Sequence, residues 1–176
     1  VTVVIIGPPA AGKTRIGRRV AKLLELPFTD TDKQIQAEHG PIPVIFETQG
    51  EDRFREIERV EVVKALRGGG VVSFGGGAVL NTATQRDLDA CLVVLFTATA
   101  EAVAGRLGNA KRPLVPDVAS WQRVVDARRE LYADLADLTV DTSHHRADDI
   151  ADEVAAWVRT RLGRAERTPV TTREDR

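Results

Sequence analysis

Gly7-Pro8-Pro9-Ala10-Ala11-Gly12-Lys13-Thr14 fits the pattern G-x-x-x-x-G-K-[ST], and the spelling follows from what a triphosphate requires. A loop whose backbone N–H groups turn inward binds anions, and a helix that starts at its end adds positive potential. Gly12 lets the backbone come close to a phosphate, Lys13 reaches the β- and γ-phosphates, and the Thr14 hydroxyl is a ligand for Mg²⁺. Pro8 and Pro9 remove two N–H donors at the start of the loop, where they stiffen it. The motif means a nucleoside triphosphate and does not name the group that accepts a phosphate.

Other residues carry the chemistry of an acceptor. Asp30-Thr31-Asp32 offers two carboxylates one residue apart. Beside a triphosphate, one can hold the hydration shell of Mg²⁺ while the other orients or deprotonates a hydroxyl; by itself the same triplet would be a helix N-cap. Arg55 and Glu58 are three residues apart on a helical pattern and can pair, with Phe54 and Ile57 facing inward. An arginine so backed can fork a carboxylate. Arg128 falls inside the apolar stripe Trp121, Val124, Val125, Leu131, Tyr132 and Leu135. A charge on a core face needs a partner, which a bound anion or an internal aspartate would supply. Arg129 is off the stripe. Gly75-Gly76-Gly77 lets a ligand touch backbone, and Lys111-Arg112-Pro113 places a guanidinium in a polar loop, where it can stabilise charge on a phosphoryl group in transit.

The elements that must position these residues alternate. Strands are expected at Thr2 to Ile6, ending near Asp30, at Val71 to Phe74, at Cys91 to Phe96 and at Leu138 to Val140. Helices are expected at Thr14 to Leu26, Asp32 to Glu38, Glu51 to Leu66, Thr82 to Ala90, Thr99 to Leu107, Ser120 to Leu135 and Ala147 to Leu162. Gly40-Pro41 breaks the second helix, Gly68-Gly69-Gly70 is a plain turn, and Gly108 to Val118 reads as a mobile loop. Strands alternating with helices make a three-layer α/β/α fold on a parallel sheet, with ligands beyond the carboxyl ends of the strands. Gly7, Asp30 and Gly75 all stand there.

Composition narrows the class. The 176 residues suit one domain, and 43% hydrophobic residues suffice for one core. Twenty-five Lys and Arg against 26 Asp and Glu leave a net charge of -1, which argues against a nucleic-acid partner. The one cysteine, Cys91, sits in an apolar run and reads as a buried strand residue. No stretch has the length of a membrane span, and the apolar start lacks a basic leader. Methionine is absent. A cytoplasmic monomer is expected.

With these motifs assembled, the chain resembles the shikimate kinases, collinearly from Val3 to about Leu162. The resemblance rests on Gly7 to Thr14, Asp30-Thr31-Asp32, the F-R-x-x-E of Phe54, Arg55 and Glu58, the G-G-G-A of Gly75 to Ala78, the R-P-L of Arg112 to Leu114, and the R-x-x-L-Y of Arg128, Leu131 and Tyr132. It implies a five-stranded parallel sheet of nucleoside-monophosphate-kinase type in one domain, 1–162. A lid of about 109–118 and a mobile substrate-binding region of about 31–60 go with it, while 163–176, charged and without an apolar period, is expected to be a flexible tail. It implies phosphoryl transfer from ATP to the 3-hydroxyl of shikimate, with Mg²⁺. Asp32 would act as base or orienting group, with Lys13 and Arg112 stabilising charge. Ala10, Ala11, Gly12, Lys13, Thr14, Arg15, Arg106, Arg112 and His145 would hold ATP. Asp32, Arg55, Gly76, Gly77 and Arg128 would hold shikimate, and Thr14 with Asp30, through water, would hold the metal.

The chain departs from the family pattern in places. Gly40-Pro41-Ile42-Pro43 is short and proline-rich, the stretch between Arg112 and Arg128 is short, and His145 stands nearest to where an arginine often meets adenine. Ser73 occupies the place of a Walker-B aspartate. Two other readings share the loop: a gluconate-type kinase, and a paralogue that binds nucleotide without turnover.

Overall fold

The computed structural model describes residues 1–107 and 117–165. Five strands, β1 (Thr2–Ile6), β2 (Phe28–Asp30), β3 (Gly70–Ser73), β4 (Leu92–Thr97) and β5 (Leu138–Asp141), form one sheet in the order β2-β3-β1-β4-β5. Every pairing is parallel, with Ile5 beside Ser73 on one side and Val94 on the other. The helices are α1 (Lys13–Leu24), α2 (Thr31–His39), α3 (Ile42–Gly68), α4 (Thr82–Leu88), α5 (Ala100–Leu107), α6 (Val118–Leu135) and α7 (Ala147–Ala165).

Strand periodicity divides the core. Val3 and Ile5 of β1 face the layer of α1 and α7, where Val20, Ala151 and Val154 pack. Val4 and Ile6 face the opposite layer, where Val62 of α3, Leu88 of α4 and Tyr132 of α6 pack. Both faces are therefore covered, which is why the central strands β1, β3 and β4 read as nearly continuous apolar runs. Two satellite clusters lie beyond the strand ends. Ile35, Ile42, Ile45, Phe54 and Ile57 join α2 to α3, and Ala10, Val103 and Trp121 join the first loop to α5 and α6.

Several expected boundaries shift. The segment 42–49, left without an element by its prolines, is helical: α3 starts at Ile42 and is broken by Gly50 (φ 83°, ψ 169°) before continuing. Pro41 caps this helix and Pro43 lies in its first turn, where a missing N–H costs no helical bond. Cys91 precedes β4 and is half-buried rather than buried, its thiol donating to the Asp87 carbonyl at 3.6 Å. The helix expected to reach Ala90 ends at Leu88, and a 3₁₀ turn, Ala78–Leu80, follows the glycine triplet. The last helix runs past Leu162 to Ala165, so the tail's first residues are helical. Gly70 is the first residue of β3, not part of a plain turn: its φ is 81° and a Cβ there would lie 2.4 Å from the Pro27 carbonyl oxygen.

Gly7 is the tightest of these positions. Its φ is 138°, and a Cβ would lie 2.2 Å from the Phe96 carbonyl oxygen, a backbone atom that cannot turn aside. Gly7→Ala is expected to lower unfolding free energy by about 2 kcal/mol or more, read as a fall in the urea midpoint. An unchanged midpoint would mean the strand-to-loop junction yields freely.

Candidate active site

The loop after β1 opens directly onto α1. Gly12 adopts φ 86° and Ala10 φ 64°, the left-handed conformations that turn successive N–H groups to one side. The carbonyls on the other side are each met by a donor. Lys13 Nζ donates to the Gly7 and Pro8 oxygens, both at 2.8 Å. Trp121 Nε1 donates to Pro9 O at 2.7 Å, Arg106 to Ala10 O at 2.8 Å, and the Thr142 hydroxyl to Ala11 O at 2.9 Å. Thr142 is buried and in turn accepts from Arg106 at 3.3 Å. The loop is thus braced by α5, α6 and the end of β5.

Beside the loop, the Thr14 hydroxyl bonds the Asp30 carboxylate. Asp30 also caps α2, accepting from the Lys33 amide at 3.1 Å, so its N-cap and loop-facing roles coexist on its two oxygens. Thr31 is buried and ties β2 to the glycine triplet, accepting from the Gly75 amide at 3.0 Å.

A cleft of about 1030 Å³ runs from this loop to α3. Lys13, Thr14, Asp30, Asp32, Arg55, Gly76, Gly77 and Arg128 all line it, with Ala10, Gly12 and the exposed Arg15 at the loop end. The two arginines therefore open onto one space. Cβ atoms built on the glycines show how closely the side chains press on that backbone: 2.3 Å from Asp32 Oδ1 at Gly75, 2.2 Å from an Arg55 guanidinium nitrogen at Gly77, and 3.6 Å from one of Arg128 at Gly76. Any larger residue at Gly75 or Gly77 would displace a charged group of the cleft.

Arg55 is held by Glu58 at 2.7 Å and by Glu51 at 3.4 Å. Burial works against its charge, but the two carboxylates outweigh it and hold its pKa above the ordinary value. Glu58 is only 4% exposed. Burial raises its pKa, the nearby Asp32 charge adds to that, and Arg55 and Arg128 oppose it. Tyr132, buried below Arg128, donates to Gly76 O at 2.6 Å, and burial raises its pKa.

Three expected nucleotide residues, Ala11, Arg106 and His145, do not line the cleft. Arg106 is committed to Ala10 and to Thr142, whose carbonyl it reaches at 2.7 Å. His145 is exposed in the turn after β5 and does not line the cleft. Arg112 and most of the expected lid lie outside the described residues. Sequence reasoning put Pro41, Ile42 and Pro43, which line the cleft, in the substrate-binding region, but missed the helical turn there and Phe46 beside them. The signal for that turn was present, since Ile42, Ile45 and Phe46 have helical spacing, with Phe46 against Phe54 at 4.5 Å between ring centroids. Missed as well were Glu51 and the bonds of Trp121 and Tyr132 to loop carbonyls.

A parallel sheet in this order, with a triphosphate loop after its first strand and a charged cleft alongside, is the frame of the P-loop kinases that phosphorylate small molecules. The family model for shikimate kinase matches residues 9–159, and the chain belongs to that family. It is 40% identical over 158 residues to the shikimate kinase of Salinispora arenicola, covering 87% of this chain and 95% of that one. With the Rhodococcus erythropolis shikimate kinase it shares 43% over 146 residues, covering 79% and 86%. The shikimate kinase of Acinetobacter baumannii, solved in complex with shikimate, superposes with a TM-score of 0.85 at 30% identity, covering 91% of this chain and 93% of that one.

Proposed function

We propose that this chain transfers the γ-phosphate of ATP to the 3-hydroxyl of shikimate, giving 3-phosphoshikimate and ADP on the route to chorismate and the aromatic amino acids. The observation that carries the reading is the cleft itself: Arg55 and Arg128 face the same space as Asp32 and the triphosphate loop. Two guanidinium groups suit the carboxylate of the acceptor, and Asp32 suits its ring hydroxyls. The acceptor oxygen forms a bond to the γ-phosphorus as the bond from that phosphorus to the β,γ-bridging oxygen breaks. The hydroxyl proton passes to Asp32, and the electron pair of the broken bond leaves on ADP. Lys13 and the loop amides hold the phosphates in line, with Arg15 at the rim. Arg106 keeps the loop in shape from behind, and Gly76 and Gly77 offer backbone to the acceptor.

The paired Thr14 hydroxyl and Asp30 carboxylate form an all-oxygen donor set beside the phosphates, and that chemistry fits Mg²⁺. Thr14 would bind the ion, with Asp30 acting through water; when bound, it supplies charge neutralisation to the phosphates. Residues 109–118, with Arg112, serve as the lid, and 31–60 as the substrate-binding region of one domain, 1–162. The protein acts as a cytoplasmic monomer without nucleic acid. Among the described residues no helix is long and apolar enough to cross a membrane.

A coupled assay tests the reading by following ADP release with shikimate, with gluconate and with neither. ADP release that needs shikimate is the expected result. Turnover with gluconate alone, or nucleotide binding with no turnover on either acid, would overturn it.

A further inference from the structure

Helix α6 touches both halves of the site by its own side chains. Trp121, 1% exposed, donates to Pro9 O in the donor loop. Tyr132, 3% exposed, donates to Gly76 O in the acceptor loop. Eleven residues separate them, three helical turns and about 16 Å of axis, so they share a face, with the cleft-lining Val124 and Arg128 between. The two loops also touch each other, since a Cβ on Gly76 would lie 3.2 Å from Pro9 Cδ and 3.6 Å from Gly7 O. Pro9, Trp121, Tyr132 and Gly76 thus form a closed circuit.

Neither bond is needed to complete secondary structure. Pro9 and Gly76 are loop residues, and each ring would fill its pocket without donating. What the two bonds fix is the distance between the backbone that cradles the transferred phosphate and the backbone that faces the acceptor. In-line transfer depends on that distance, and a misplacement of about 1 Å can cost about 100-fold in rate.

We infer that Trp121 and Tyr132 are positioning residues that lock the donor loop and the acceptor loop at a fixed separation through one rigid helix. The inference rests on the phosphoryl-transfer reading above.

Trp121→Phe and Tyr132→Phe each remove one donor while keeping an aromatic ring. Val158→Ala, in the core on the far face of the sheet, is the control for loss of stability alone. For each variant kcat, KM for ATP, KM for shikimate and melting temperature are measured. Trp121→Phe is expected to lower kcat about fivefold, the size of one net hydrogen bond, and to raise KM for ATP more than KM for shikimate. Tyr132→Phe is expected to show the reverse split. Because the circuit is already open in either single variant, the double variant is expected to lose less in kcat/KM than the product of the single losses. Equal changes in both KM values, changes no larger than those of Val158→Ala, or losses that multiply would each overturn the inference. Wild-type protein that does not turn over shikimate would sink the underlying reading instead, so the two failures are distinct.

Discussion

Asp32→Asn is expected to lower turnover with shikimate by about 100-fold or more while the Kd for ADP stays within twofold. Asparagine matches the shape of aspartate and still accepts a hydrogen bond, but it cannot take a proton at neutral pH. Proton transfer by a positioned side chain contributes about 10²- to 10⁴-fold, and the lower end suits a phosphoryl transfer whose transition state is loose. Asp32 is pressed against the backbone after β3, where a Cβ on Gly75 would lie 2.3 Å from its Oδ1. Its position is therefore fixed by the fold. The negative charge of Asp32 adds to the upward shift of Glu58, so removing it lessens the repulsion on that buried carboxylate; a melting curve of the variant separates a loss of turnover from a loss of folding. Calorimetry with ADP and the coupled assay together decide the matter. Turnover within threefold of wild type would remove Asp32 from the chemistry.

The sequence made the frame legible because two signals coincide there. The central strands β1, β3 and β4 are β-branched and apolar runs, and the triphosphate motif falls between a strand and a helix. The cationic half of the site was legible through a violation of pattern: Arg128 breaks an otherwise apolar stripe, and the fold places it on the cleft. What stayed hidden depends on contacts distant in sequence. Nothing local to Trp121 indicates that its N–H meets a carbonyl 112 residues earlier. Arg106 reads as a cation available to a nucleotide until the fold gives it Ala10 and Thr142. The helix at Ile42 was masked by the two prolines, whose meaning reverses once Pro41 caps the helix and Pro43 sits in its first turn.

Arg128→Ala is expected to raise KM for shikimate by about 100-fold while KM for ATP changes by less than threefold. Charge-assisted bonds from a guanidinium fork to a carboxylate are among the strong polar contacts of proteins, and truncating one side of such a pair costs about 2–5 kcal/mol when it is desolvated. Arg128 is a cleaner probe than Arg55. Arg55→Ala would strand Glu58, 4% exposed and already reluctant to ionise, so its loss mixes binding with stability. Arg128 lies along the cleft wall, and among the described residues no acidic side chain is bonded to it at the distances that hold Arg55. The methyl ester of shikimate separates charge recognition from shape. Wild-type protein should lose about as much on the ester as Arg128→Ala loses on the acid, and the variant should lose little more when given the ester. Arg128→Lys should recover only part of the affinity, because an ammonium replaces the planar fork with a point charge. Equal penalties for acid and ester in Arg128→Ala would mean that this guanidinium does not read the carboxylate.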